Sequence, residues 1–190
     1  MKVVIVGGVA GGATAAARLR RLDENAEIII IERSGYISYA NCGLPYYIGG
    51  EITKKESLTL QTPESFFRRF RIDVRVKQEV TAIDVKNKKV RVNNLETGES
   101  YEESYDKLIL SPGAKAVKPN VEGLDLEKVF TLRTVEDTFA IDELDSIIEC
   151  QKIFMEVVSE TRTENMYLIE EEDGWRLDSI SKIAYLDEIN

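Results

Sequence analysis

The chain has no histidine, and only two cysteines, four prolines and one tryptophan among its 190 residues. Without histidine it lacks the commonest metal ligand and the side chain best suited to general acid–base work near neutrality. Its cysteines, Cys42 and Cys150, lie too far apart for a CxxC pair or a metal clip, so no metal ligand is assigned. Long apolar runs are missing as well. VVIV at 3–6 and IIII at 28–31 fall far short of the roughly 20 residues that a membrane span needs. The start MKVVIVGG carries no signal-peptide cleavage pattern. A cytoplasmic protein with no membrane partner is the expectation.

What is present reads as globular: 43% hydrophobic and 31% charged residues, in a length that allows one domain with a sizeable core, or one domain and an appendage. The net charge of -9 argues against nucleic acid, yet it is unevenly spread. Residues 1–140 hold 21 Lys/Arg against 20 Asp/Glu, whereas residues 141–190 hold 4 against 14. The acidity belongs to the tail.

The clearest pattern lies at the start. KVVIVGG is a β-branched run ending in glycines, ATAAARLRRL a strong helix former, and AEIIIIER a second buried strand closing on an acid, which together make a βαβ unit. The turn GGVAGG, residues 7–12, departs from G-x-G-x-x-G because Val9 holds the middle position. Its outer glycines still serve: Gly7 allows the tight turn, and Gly12 lets the helix approach the strand so that its N-terminal amides can face a pyrophosphate. Gly8 and Gly11 are expected to add room for close backbone approach. Glu32 falls where a strand-end carboxylate can accept hydrogen bonds from a ribose. This unit by itself does not separate FAD from NAD.

Further along, TPESFFRRF reads as a helix, and DVRVKQEVTAIDV, KKVRVNN and ESYEESYDKLILSPGA as an antiparallel meander returning to a buried strand. With these segments on the page, VGGVAGGATAAARLRRLDE, SYANCGLPYYIGG, YDKLILSPGA and TLRTVEDT resemble the coenzyme A-disulfide reductase group of the pyridine nucleotide-disulfide oxidoreductases, over about residues 1–141. That group includes NADH oxidases and persulfide reductases with a single cysteine. In it the absence of the middle glycine is usual, so Val9 does not count against FAD.

The resemblance implies an α/β protein: a Rossmann-like FAD-binding domain with an antiparallel β-meander over 1–141, followed by a short α+β tail over 142–190. It implies FAD as cofactor and NAD(P)H as donor. The FAD side would comprise Gly7, Gly8, Val9, Ala10, Gly11, Gly12, Glu32, Arg33, Val80, Ser111, Gly113 and Arg133. Cys42 would be the redox residue. Thr14, Arg18, Arg21, Ser38, Asn41 and Arg71 would face coenzyme A or another small disulfide or persulfide. Arginines suit coenzyme A because a guanidinium grips phosphate bidentately, although Arg18, Arg20 and Arg21 also suit a solvated helix face. Arg69 is a weaker candidate for the same nucleotide.

Most of the wider superfamily pairs two cysteines separated by four residues, but the position five after Cys42 is Tyr47. One sulfur must then act, as a mixed disulfide, a sulfenic acid or a persulfide. The turn before Pro45 reads as a helix start, whose dipole would favour the thiolate. Cys150, on the apolar side of a pattern running from Leu144 to Val158, reads as core.

In the full group a second glycine-rich NAD(P)H unit, a returning FAD segment and a dimerisation domain follow, and the group is homodimeric. Residues 142–190 hold one glycine and no proline, and read as a helix to about Ser159 and then a hairpin turning at Asp173-Gly174. A truncated, rearranged or fused flavoprotein is the expectation. An oxidase or peroxidase, or a non-catalytic nucleotide-binding remnant, is the alternative to a disulfide reductase.

Overall fold

Val3, Val4 and Ile5 are buried in succession, as are Ile28 to Ile31, which is what strands covered on both faces require. They form β1 (Lys2–Val6) and β2 (Glu27–Ile31), paired in parallel. The computed structural model describes residues 1–118, 129–147, 166–171 and 174–179, with side chains as far as residue 143. These residues fall into two compact units. One combines Met1–Tyr39 with Thr59–Gly113, and the other combines Ala40–Leu58 with the described residues from Ala114 on.

In the first unit α1 (Ala10–Leu22) returns the chain from β1 to β2. Then come β3 (Ile37–Tyr39), β4 (Thr59–Gln61), α3 (Pro63–Phe70), β5 (Asp73–Arg75), β6 (Gln78–Asp84), β7 (Lys89–Asn94), β8 (Ser100–Ser104) and β9 (Lys107–Leu110), with α2 assigned below to the second unit. The parallel sheet has the order β5-β2-β1-β9, and β6-β7-β8 is an antiparallel meander. DVR therefore joins the parallel sheet beside β2, where the sequence pattern placed it in the meander. Period-2 alternation is the same for either partner, so it could not choose between them.

The period sorts the core. Val3 and Ile5 face Ala13 and Ala16 of α1 and Phe66 of α3, while Val4, Ile29 and Ile31 face Val90 and Val92 of β7. Small residues on α1 let that helix lie close to the sheet. α3 starts at a capping box in which Thr62 and Ser65 exchange hydrogen bonds, which satisfies otherwise orphaned amides. It stops at Arg71, whose φ of 50° ends the helix in the left-handed region.

Two polar clasps hold the layers. Arg20 donates to the carbonyls of Phe70, Asp23, Glu24 and Arg71, so it ties the C-terminal ends of α1 and α3. Its guanidinium is committed to these carbonyls. Glu103 of β8 accepts from Lys2 of β1 at 2.6 Å and from Arg75 of β5 at 2.5 Å, joining the meander to the parallel sheet.

The second unit contains α2 (Leu44–Ile48), β10 (Phe130–Leu132), α4 (Val135–Ile147), β11 (Met166–Glu171) and β12 (Gly174–Ser179). β11 and β12 form a hairpin, but Gly174, expected in its turn, is the first residue of β12 and pairs with Glu171, and β10 pairs with β11 to make a three-stranded antiparallel sheet. The tail helix differs from expectation. α4 begins at Val135, because Thr134 and Asp137 exchange capping hydrogen bonds, so the 141/142 boundary falls inside a continuous helix. Residues 148–159, Cys150 and Asp173 lie outside the described residues.

Candidate functional site

β1 delivers the chain to the glycine turn and β2 delivers it to Glu32, both at the C-terminal ends of their strands, where open parallel sheets place ligands. Gly7 has φ of +94°, and a Cβ there would collide with the Ser111 carbonyl. Gly12 presses against the Gly7 carbonyl, and a methyl there would also meet Ile5 Cγ2 at 3.2 Å. Both glycines thus do what the sequence asked of them.

Gly8 and Gly11 do something else. A Cβ on Gly8 would meet Ile37 Cγ2 at 2.9 Å and Ile30 Cγ2 at 3.1 Å, and one on Gly11 would meet Ser111 Oγ at 2.5 Å. The room they make is filled by this chain's own side chains, so the close approach is internal. Val9 is the N-cap of α1 and Ala10 its first residue. No side chain caps the helix and no acid sits in its first turn, which leaves its first amides for an anion.

Glu32 is 7% exposed. Its Oε2 accepts from Gly8 N at 2.7 Å and its Oε1 from Ser34 N at 2.8 Å. Each oxygen keeps lone-pair capacity for a hydroxyl donor. The carboxylate borders a small open cleft of about 120 Å³ lined by Gly7, Glu32, Arg33, Val80, Gln78, Glu79 and Pro112 among others. Arg33 stands 3.9 Å from Glu79 across two exposed side chains. The turn, the carboxylate and the cleft together fit the nucleotide end of a dinucleotide.

Gln78, Glu79 and Pro112 were missed by sequence reasoning. Gln78 reaches the cleft because its N–H bonds to the Glu32 carbonyl at 3.0 Å, a pairing that leaves no local sequence signal. Ser111 docks by donating its N–H to Val6 O at 2.8 Å. Gly113 has φ of +72° and open space around it, so the structure supplies a bend there and no contact.

Thr14, Arg18 and Arg21 are exposed, and their spacing of four and three places them along one face of α1. Arg18 makes no hydrogen bond or ion pair among the described residues, whereas Arg21 Nε donates to Ala17 O at 3.1 Å. Arg71 is exposed, and the Arg20 clasp fastens its carbonyl beside the end of α1. Arg69 stacks over the Phe70 ring at 5.1 Å. Ser38 has φ of 47°, uncommon for a residue with a side chain. Its N–H donates to the Gly8 carbonyl at 2.9 Å, which holds that backbone against the turn.

In the second unit Cys42 is exposed and free, in the middle of a tight turn over Asn41–Gly43 that leads directly into α2. An inert buried thiol is thereby excluded. α2 is only five residues long, with Pro45 near its start, so the dipole expected from the sequence has little helix behind it. Tyr47, at the place of a second cysteine, is 7% exposed and donates to Asp142 Oδ2 at 3.3 Å. Its ring meets Phe139 edge-on at 5.8 Å. Burial, and then the negative charge of Asp142, push this phenol up from its ordinary value.

Asn41 Oδ1 and Arg133 Nε are among the buried polar atoms of this unit that have no hydrogen-bond partner among the described residues. Orphans of this kind cost about 1–3 kcal/mol each unless a ligand or water satisfies them, and both belong to the residues expected to bind. Among the described residues no group of acids and cysteines could hold a metal, and no helix is long and apolar enough to cross a membrane.

The family model described as pyridine nucleotide-disulphide oxidoreductase matches residues 1–152. The coenzyme A disulfide reductase of Staphylococcus aureus (strain JH9) is 46% identical over 154 residues, which is 81% of this chain and 34% of that protein. The reduced Bacillus anthracis CoADR-RHD superposes with a TM-score of 0.74 at 53% identity, covering 76% of this chain and 26% of that one. A NAD-dependent persulfide reductase from A. fulgidus gives 0.73 at 35% identity, over 78% and 28%. The chain therefore spans about a third of the length of the curated relatives it matches.

Proposed function

Because this chain belongs to the pyridine nucleotide-disulphide oxidoreductases, we propose that it carries the FAD-binding and cysteine portion of a coenzyme A-disulfide or persulfide reductase. The observation that carries this reading is the exposed Cys42 on its turn, with Tyr47 where a second cysteine would stand. A lone accessible thiol can exchange with an external disulfide, and Tyr47 cannot resolve it.

FAD, when bound, would supply the transfer of an electron pair from NAD(P)H to sulfur. The glycine turn and the first amides of α1 would take the pyrophosphate, and Glu32 would accept from the ribose hydroxyls. Arg133 Nε, a donor without an acceptor, would find one on the bound nucleotide or flavin. In the first unit Ser111 and Val80 would border the nucleotide, with Arg33 at the rim of the cleft.

The Cys42 thiolate attacks one sulfur of the disulfide. A bond forms between the two sulfurs, the original S–S bond breaks, and the leaving thiolate takes a proton. Two electrons and a second proton then release the remaining thiol and restore Cys42. In the first unit Thr14, Arg18, Arg21 and Arg71 would hold the phosphates of a coenzyme A arm and Ser38 would touch the substrate, and in the second Asn41 would border the sulfur. An acidic segment of separate origin, expected after residue 141, would begin only beyond the family match, which runs to residue 152.

An absorbance spectrum with intact mass before and after reductant tests it. A flavin band and a coenzyme A adduct on Cys42, lost with reductant, are expected. A colourless protein that stays colourless with added FAD would overturn the reading. Trapping of a sulfenic acid on Cys42 after peroxide, with no mixed disulfide, would favour an oxidase or peroxidase.

A further inference from the structure

Gln78 stands in the wall of the cleft beside Glu32 without a role in the scheme above. Its backbone is pinned to the Glu32 carbonyl, and its side chain is held from the other direction. The phenol of Tyr101 is hydrogen-bonded to Gln78 Oε1, and the same phenol oxygen lies 3.0 Å from Nη1 of Arg75. Arg75 is itself fixed by Asp73 at 2.8 Å and Glu103 at 2.5 Å.

This chain of partners decides which way the amide faces. A guanidinium only donates, so the Tyr101 oxygen accepts from Arg75. Its own proton is donated to Gln78 Oε1, so the carbonyl end of the amide is the end that meets it. The NH2 group is left on the other side, with two N–H donors and no acceptor among the described residues, on a residue that lines the cleft.

Resting on the FAD reading above, we propose that Gln78 reads the adenosine half of the dinucleotide by donating from its carboxamide NH2 to an acceptor atom of the nucleoside. Arg75 and Tyr101 act as positioning residues that hold the amide in this orientation. Glu32 and Gln78 are then complementary: the carboxylate accepts from ribose hydroxyls, and the amide donates to a ring nitrogen or ribose oxygen.

The test titrates wild type, Gln78→Glu, Gln78→Leu and Tyr101→Phe with FAD, followed by flavin fluorescence, and with ADP, followed by calorimetry. Gln78→Glu is the informative variant, since a carboxylate still accepts from Tyr101 but offers no donor. It is expected to melt close to wild type while binding FAD and ADP about tenfold more weakly, the loss being the same for both. Gln78→Leu should lose about fivefold to tenfold, the weight of one hydrogen bond, and Tyr101→Phe about threefold. Wild type that binds neither FAD nor ADP overturns the flavin reading itself. Wild type that binds both, with Gln78→Glu within twofold of it, overturns the role of Gln78 alone.

Discussion

Replacing Glu103 with glutamine removes the carboxylate through which β8 holds both β1 and β5. Its side chain is 13% exposed, and those of Lys2 and Arg75 are 24% and 25% exposed. Breaking a fully buried pair costs about 3–5 kcal/mol, and an exposed one less than about 1 kcal/mol. Lys2 keeps Glu27 at 3.3 Å and Arg75 keeps Asp73 at 2.8 Å, so this cluster falls between those limits. The expected cost is about 2 kcal/mol, or a Tm lower by about 4–8 °C for a chain of this size. Burial alone would raise the Glu103 carboxyl, but hydrogen bonds from Lys2 and Arg75 outweigh it and hold the group below its ordinary value. A folded-state pKa below the unfolded value of about 4.3 gives a contribution that is complete above roughly pH 5 and lost as pH falls through the folded value. Lys2 runs the other way. Its hydrogen bond to Glu103 raises it, so its share is complete below about pH 10 and fades as pH rises through the folded value. Thermal melts of wild type and Glu103→Gln at pH 7 should differ by several degrees and converge in acid. A gap under 1 °C at pH 7, or one that stays unchanged at pH 3, would refute the argument.

Three further outcomes can be checked. Cys42→Ser should abolish rapid labelling of the 38–50 peptide by a thiol reagent and any coenzyme A adduct there, with little change in Tm, because the side chain is exposed; labelling and peptide mass mapping decide it. Gly12→Ala drives a methyl into the Gly7 carbonyl and should cost about 3 kcal/mol or more, seen as a lower urea midpoint together with loss of FAD binding. Tyr47→Phe removes the donor to Asp142 and should cost about 1 kcal/mol. In ultraviolet titration of wild type, Tyr47 should ionise above the ordinary tyrosine value, since its phenol is raised.

Much of this was open to reading along the chain. Apolar runs of Val and Ile announced β1 and β2, alanines between them announced α1, and the spacing from Gly12 brought Glu32 to the end of β2, where it lies buried against the turn. The period of two announced β6, β7 and β8 but not that β5 would pair with β2, because alternation names a face and never a partner. Arg20 looked like its neighbours Arg18 and Arg21, and only the end of α3 beside it separated their roles. The start of α4 was legible in principle, from Thr134 and Asp137 three residues apart.

The sequence by itself determined the βαβ unit, the glycine turn, the strand-end carboxylate and Cys42 with tyrosine at the second position. These follow from local rules: side-chain period, the backbone freedom of glycine, and short covalent spacing. Tertiary structure alone decided that Gly8 and Gly11 make room for this chain's own side chains, and that Gln78 enters the cleft with its amide turned by Tyr101 and Arg75. It alone brought Glu103 to Lys2 across 101 residues of chain. Contacts of that kind depend on which strands pair and in what register. Burial of apolar faces over the whole sheet settles that choice, and no short stretch of sequence records it.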